Sequence, residues 1–305
     1  MKKSIVLLIM MLLILSFTLG CASNNQGENE TEVGTEAKTI TDSQGREVII
    51  EEYPKKIISI APAITEILFA IGLNEEIIGV SDYCDYPEDA QTKEKVGGFE
   101  DPNVEVIVAK NPDIVFASAG VQEELIKKLE ELNIKVAVLD ADNIEQVIEN
   151  ILITGKITGK EEAAEEIAID MEERLADITA KVKERPQPKV FFEVWDDPLM
   201  SAGSGSFIHN IIVDAGGNNV ASDNSERYYT FSMEKLLEAN PDIYIINTHS
   251  HTPDDIINRN GYHVLSAVKN NKVFNIDDNL ISRAGPRVIQ GLEEMAKIIH
   301  PEIFE

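Results

Sequence analysis

The sequence predicts an α/β protein of two lobes joined by one long helix, and three observations carry that expectation. Short β-branched runs alternate with helical patterns from Thr39 onward, the arrangement that builds helix-covered, largely parallel sheets. The ~265 residues involved exceed what one hydrophobic core usually serves. Between the two halves, Ile167, Met171, Leu175, Ile178 and Val182 recur every three or four residues, one helical stripe that stops where Pro186 and Pro188 arrive.

In chain order, the first element is an export segment. Lys2 and Lys3 precede an uncharged run from Ser4 to Gly20 that ends at Cys21. A basic start, a short apolar core and a small residue at the boundary make residues 1–20 a signal peptide. The run falls short of the ~20 residues that span a bilayer as a helix. Residues 21–38, "ASNNQGENETEVGTEAK" after the cysteine, are polar and read as a disordered tether. No later apolar run approaches spanning length.

The first lobe, residues 39–158, has strand candidates "KIISIAP", "IIGV", "DIVFAS" and "KVAVLD". Its helix candidates are "AITEILFAIG", "VEVIVAKN", "QEELIKKLEELN" and "NIEQVIENILITGKITG". Residues 159–185 form the connector, about 25 residues and nearly 40 Å long as a helix. In the second lobe, residues 186–305, "KVFFEV", "DIYIINT" and "KVFNI" are strands. "GSFIHNIIVDAGG", "SMEKLLEAN" and "PRVIQGLEEMAKIIHPE" are helices, the first closed by glycines suited to a C-cap.

Charge excludes whole classes of partner. With 54 acidic against 27 basic residues the chain carries a formal −27. Nucleic-acid binding needs a basic footprint, and adhesion to anionic head groups needs basic clusters. Two cysteines, Cys21 and Cys84, are present. If Cys21 carries a lipid, Cys84 has no disulfide partner.

Two enzymatic readings compete with a binding one. "NTHSHTPDD" sets His249 and His251 near Asp254 and Asp255, donors that suit a transition metal and a metal-dependent enzyme. Yet none of the five histidines lies between Thr39 and Gly159, so an interlobe metal would lack imidazole from the first lobe. We read that stretch as a solvated loop. "SAGSGSFIH" does not match Gly-x-Ser-x-Gly and reads as a turn into a helix, while "ITGKITGK" lacks the hydroxyl residue of a phosphate loop. No catalytic group, metal or cofactor is expected.

One internal echo points elsewhere. "NVEVIVAKNPDIVF" and "SMEKLLEANPDIYI" align on their Asn-Pro-Asp turns, which sets Glu105 and Glu234 at one offset near the start of a helix. Complementing the helix dipole, worth about 0.3–1 kcal/mol, is one role for them. Presenting two carboxylates from related lobes to one partner is the other.

Taken together, "IISIAPAITEILFAIG", "IIGVSDYCDYPEDA", "VEVIVAKNPDIVFAS", "GSFIHNIIVDAGGNNVASD" and "SRAGPRVIQGLEEMAKIIHPE" resemble the substrate-binding proteins of ABC importers for vitamin B12, ferric siderophores and haem. "GVSDYCDYP" followed by "GGFEDPNVE" looks most like the cobalamin branch. The resemblance implies two α/β lobes on one long helix, a periplasmic-binding-protein fold of class III, with the ligand in the cleft between them. It implies ligand contacts at Tyr83, Phe99, Trp195, Met200, Tyr228, Asn279 and Arg283, although that branch commonly has tryptophan at the positions of Phe99 and Tyr228. It places Glu105 and Glu234 on the glutamates that dock onto a permease dimer served by ATPase subunits. "FTLGC" resembles a lipobox, which would make Cys21 the lipid anchor of a monomeric lipoprotein on the outer face of the cell membrane. A corrinoid is the ligand the resemblance favours, with a ferric siderophore or haem as the alternative.

Within "VSDYCDYPEDA", Tyr83 is then the working residue, an aromatic face on a proline-stiffened loop. Cys84 points the opposite way if the loop is extended, and packs as a small apolar group.

Overall fold

The computed structural model of the protein describes residues 37–249 and 251–304. The expected signal peptide, most of the tether and Cys21 lie outside these residues. Among the described residues no helix is long and apolar enough to cross a membrane.

The chain opens with a hairpin of β1 (Lys38–Thr41) and β2 (Glu47–Ile50), antiparallel and absent from the sequence-based expectation. Asp42, in its turn, accepts from the Gln44 and Arg46 amides and, across the lobe, from Val138 N at 3.0 Å. A single carboxylate thus shapes the turn and fastens the hairpin. Next come β3 (Ile57–Ser59), α1 (Pro62–Ala70), β4 (Ile77–Val80), α2 (Glu88–Gln91) and α3 (Val104–Ala109). The lobe continues through β5 (Ile114–Ala117), α4 (Glu123–Glu131), β6 (Val136–Val138) and α5 (Ile144–Thr158). Its four-stranded sheet runs β4-β3-β5-β6 and every pairing is parallel. These strands are buried on both faces, which is why they read as unbroken apolar runs rather than alternating ones.

The connector is α6 (Glu161–Val182), 22 residues and so about 33 Å long, shorter than the sequence spacing suggests. Only Lys160 separates it from Gly159, which caps α5 at φ +73°. Gly155 lets the two helices close up: a Cβ there would lie 2.5 Å from that of Ala164. The face of α6 that packs inward carries Ala164, Ala168, Met171, Leu175, Ile178 and Val182, with Ile167 at its margin.

The second lobe contains β7 (Lys189–Asp196), β8 (Leu199–Ala202), α7 (Phe207–Asp214), β9 (Asn218–Asn219), β10 (Tyr228–Thr230), α8 (Met233–Ala239) and β11 (Ile243–Asn247). It ends with α9 (Pro253–Ile257), α10 (Ser266–Lys269), β12 (Val273–Ile276), α11 (Asp278–Ser282) and α12 (Val288–Ile299). The sheet order is β10-β8-β7-β11-β12, with β9 beside β7. Two of its five pairings depart from the expected parallel arrangement, since β8 is antiparallel to both β7 and β10. The two-residue turn Asp197–Pro198 folds β8 straight back on β7, whereas parallel strands need a long crossover. The two α/β lobes share one apolar core, in which Ile57 and Phe116, the α6 stripe, and Ile211 and Met295 form a single cluster.

Candidate functional site

In the first lobe, the ends of the parallel strands converge on one edge. The segments following β3, β4, β5 and β6 supply Ala61, Tyr83, Ser118 and Asp140 to one wall of a cavity of about 530 Å³. The second lobe closes it with Phe207 at the start of α7, Arg227 and Tyr228 at the start of β10, and Arg283 after α11. Clefts beyond the carboxyl ends of strands are the usual ligand sites of open α/β sheets.

Tyr83 is 63% exposed and Tyr228 42%, each beside a buried neighbour, Cys84 and Tyr229. Phe99 lines the same cavity and rests against the core. With Phe207, four aromatic side chains, two from each lobe, therefore share one opening. Burial pushes the Tyr228 phenol up, with Arg227 pulling the other way.

The loop that carries Tyr83 is fixed from beneath. Cys84 is 1% exposed, its Sγ 3.1 Å from Thr65 Oγ1 and 3.2 Å from Ser81 Oγ, and burial pushes its thiol up. Lys95 Nζ donates to the carbonyls of Ser81 and Cys84 at 3.3 and 3.0 Å. Cys84 packs inward while Tyr83 faces out. Gln122, buried and unforeseen, does similar work nearby. Its Nε2 donates to Ile60 O and Phe99 O at 3.0 and 2.7 Å, and its Oε1 accepts from Ser118 N at 2.8 Å. One amide ties three cavity segments together.

The arginines of the cleft cross the gap. Arg227 reaches Asp142 at 2.6 Å and Asp140 at 3.6 Å in the first lobe. At the other end Arg283 bridges Asp85 and Glu66, and Arg287 binds Glu66 through two hydrogen bonds of 2.8 and 2.6 Å. Arg287 also lies 3.8 Å above the Tyr86 ring. The hydrogen bond from Arg283 holds the Asp85 carboxyl below the usual range, whereas burial raises that of Asp140 against the pull of Arg227.

Of the residues named from the resemblance, Tyr83, Phe99, Tyr228 and Arg283 line this cavity. Trp195, Met200 and Asn279 are outside its lining. Trp195 is 54% exposed, opposite Met200 in the β7–β8 register, and donates Nε1 to Asp197 O at 2.9 Å. Asn279 turns its amide to Asp277, the α11 N-cap. Phe207 and Asp140 went unnamed, and chain position was the available signal for both. Asp140 lies just beyond the strand "VAV", and Phe207 follows the N-cap Ser206 of the turn into α7.

The histidines do not gather. His249 pairs with Asp278, His251 Nε2 lies 3.0 Å from Asp196, and Asp255 is committed to a capping box with Thr252. Among the described residues no group of three or more potential ligands could hold a metal ion.

Glu105 and Glu234 occupy equivalent positions, in the first turns of α3 and α8 behind the N-caps Asn103 and Ser232. Both are exposed, and among the described residues neither side chain has an ion pair or hydrogen bond. The repeat extends to its turn. Asn111 and Asn240 have φ of +48° and +45°, and Asp113 and Asp242 accept from the backbone of Lys56 and Lys189 at 2.8 and 2.9 Å.

Comparison with known proteins agrees with this architecture. The family model described as periplasmic binding protein matches residues 57–280. The chain is 32% identical to an uncharacterized ABC transporter substrate-binding lipoprotein of Bacillus subtilis (strain 168), with 100% of each covered. Among solved structures, the periplasmic vitamin B12 binding protein of Vibrio cholerae superposes with a TM-score of 0.73 at 25% identity, over 83% of this chain and 99% of that one. A periplasmic heme-binding protein from Roseiflexus sp. RS-1 also gives 0.73, at 23% identity over 81% and 98%, a likeness of fold alone.

Proposed function

The chain belongs to the periplasmic binding protein family as the substrate-binding component of an ABC transporter, and on that premise we propose that it captures a corrinoid outside the cell and hands it to a permease dimer driven by ATPase subunits. Binding and release are the whole mechanism; no bond is made or broken. The observation that carries the proposal is the meeting of Tyr83, Phe99 and Tyr228, from both lobes, at one cavity. A corrin is a broad, partly apolar disc with amide arms. Aromatic faces bury such a disc, and a few polar groups at its rim orient it. The similarity to a protein described as vitamin B12 binding supports the same choice.

Titration of the purified protein with cyanocobalamin, aquocobalamin, cobinamide, haem and a ferric siderophore tests this reading. A corrinoid is expected to bind best, and no corrinoid binding at micromolar concentration would sink it.

Glu105 and Glu234 are the docking carboxylates in this proposal, and Cys21 carries the lipid that holds the protein at the membrane's outer face. Rim charges on rigid lobes orient an encounter more than they add affinity. Charge reversal at both positions, Glu105→Lys with Glu234→Lys, is expected to abolish uptake in cells while the purified variant binds ligand as before. A variant that fails to fold would instead assign both residues to the helix N-termini.

A further inference from the structure

A charged ligand needs an unengaged charge of opposite sign, and the arginines of the cleft are engaged already. Arg227 is held by Asp142 and Asp140, and Arg283 by Asp85 and Glu66. Each pair crosses from one lobe to the other, so turning either guanidinium toward a ligand would strip partners from carboxylates of the opposite lobe. Glu66 is 3% exposed and would keep only Arg287 if Arg283 turned away, losing part of the compensation that a buried charge requires. The cavity wall contains no lysine or histidine among the described residues, while Glu100 and Asp101 face it with no ion pair of their own. A negative net charge over the whole molecule adds to the same field.

From this arrangement we infer that the cleft selects its ligand by charge, admitting neutral or cationic ligands and refusing polyanionic ferric chelates and haem. The inference rests on the solute-receptor reading and sharpens it. An anionic chelate would have to bind against Glu100, Asp101 and Asp140 with no free cation to receive it, and like-charge juxtaposition suppresses wrong partners. A corrinoid with amide arms meets no such penalty. Polar rim groups and aromatic faces suffice for it.

Asp85 and Asp142 allow a test, because both are exposed and their amides keep the shape of the acids. The D85N/D142N double variant releases one partner from each arginine. Haem, a ferric tricatecholate, a neutral ferric trihydroxamate and cyanocobalamin are titrated into the wild-type protein and this variant, with thermal melting as a check on folding. In the wild-type protein the tricatecholate and haem are expected to bind at least about 100-fold more weakly than whichever neutral ligand is accepted. The double variant is expected to bind haem at least about tenfold more tightly than the wild-type protein does. A wild-type protein that takes the tricatecholate or haem as well as any neutral ligand would overturn the inference. So would a folded double variant with no gain in haem binding, whatever else it binds. Acceptance of the neutral trihydroxamate but not cyanocobalamin would leave the charge rule standing and remove the corrinoid.

Discussion

Replacing Tyr83 and Tyr228 together by alanine is expected to abolish corrinoid binding at micromolar concentration without unfolding the protein. Buried aromatic anchors at an interface cost about 2 kcal/mol or more each on truncation, roughly 30-fold in affinity. The two rings come from opposite lobes, so their losses should largely add, to about 1,000-fold. Both side chains are well exposed, so the melting temperature should scarcely move. Isothermal titration of both single variants and the double variant checks this, and an effect below about threefold would mean the ligand does not use these faces. The same titration on Trp195→Ala tests whether the ligand reaches beyond the cavity lining.

Glu66→Ala should strike stability rather than recognition alone. This carboxylate sits in α1, 3% exposed, and serves Arg283 and Arg287 from the other lobe. Its loss leaves two guanidinium groups short of a partner at positions where each side chain is 17% exposed. Breaking a buried ion pair from one side costs about 3–5 kcal/mol. The lower end applies, because Arg283 keeps Asp85 and Arg287 keeps the Tyr86 face. A loss of about 3 kcal/mol lowers the melting point of a protein this size by roughly 10 °C. Asp170→Ala is the contrast: its bond to Arg174 joins residues four apart on the connector, and its carboxylate is 64% exposed. An exposed pair of that kind contributes about 0.5 kcal/mol at most. Equal melting shifts in the two variants would refute the account of Glu66.

Local pattern explains what the sequence disclosed. The strands of the first sheet are dense β-branched runs, and α6 repeats its apolar residues at helical spacing, so each announces itself within a short window. The strands β8 and β10 do not: "LMSA" and "YYT" are three or four residues long, and only a sheet that pairs them gives them meaning. The same divide runs through the site. Tyr83, Phe99, Tyr228 and Arg283 were nameable because family motifs surround them. The carboxylates that occupy the arginines were not, since 217 and 221 residues separate Glu66 from Arg283 and Arg287. Gln122 was invisible for a related reason. Its importance lies in hydrogen bonds to loops 62 and 23 residues away, and nothing in its own neighbourhood records them.

The connector and the shared core carry a kinetic consequence. Rotating one lobe away from the other would tear open an apolar cluster that includes Ile57, Met171, Ile178 and Met295. A receptor built this way does not wait for a lid, so ligand arrival is governed by diffusion and orientation, with rate constants of about 10⁵–10⁷ M⁻¹s⁻¹. Discrimination among ligands must then reside in how long each one stays. Departure is then the slow step, and on the docking proposal a permease bound at Glu105 and Glu234 would shorten it by drawing the two rims apart.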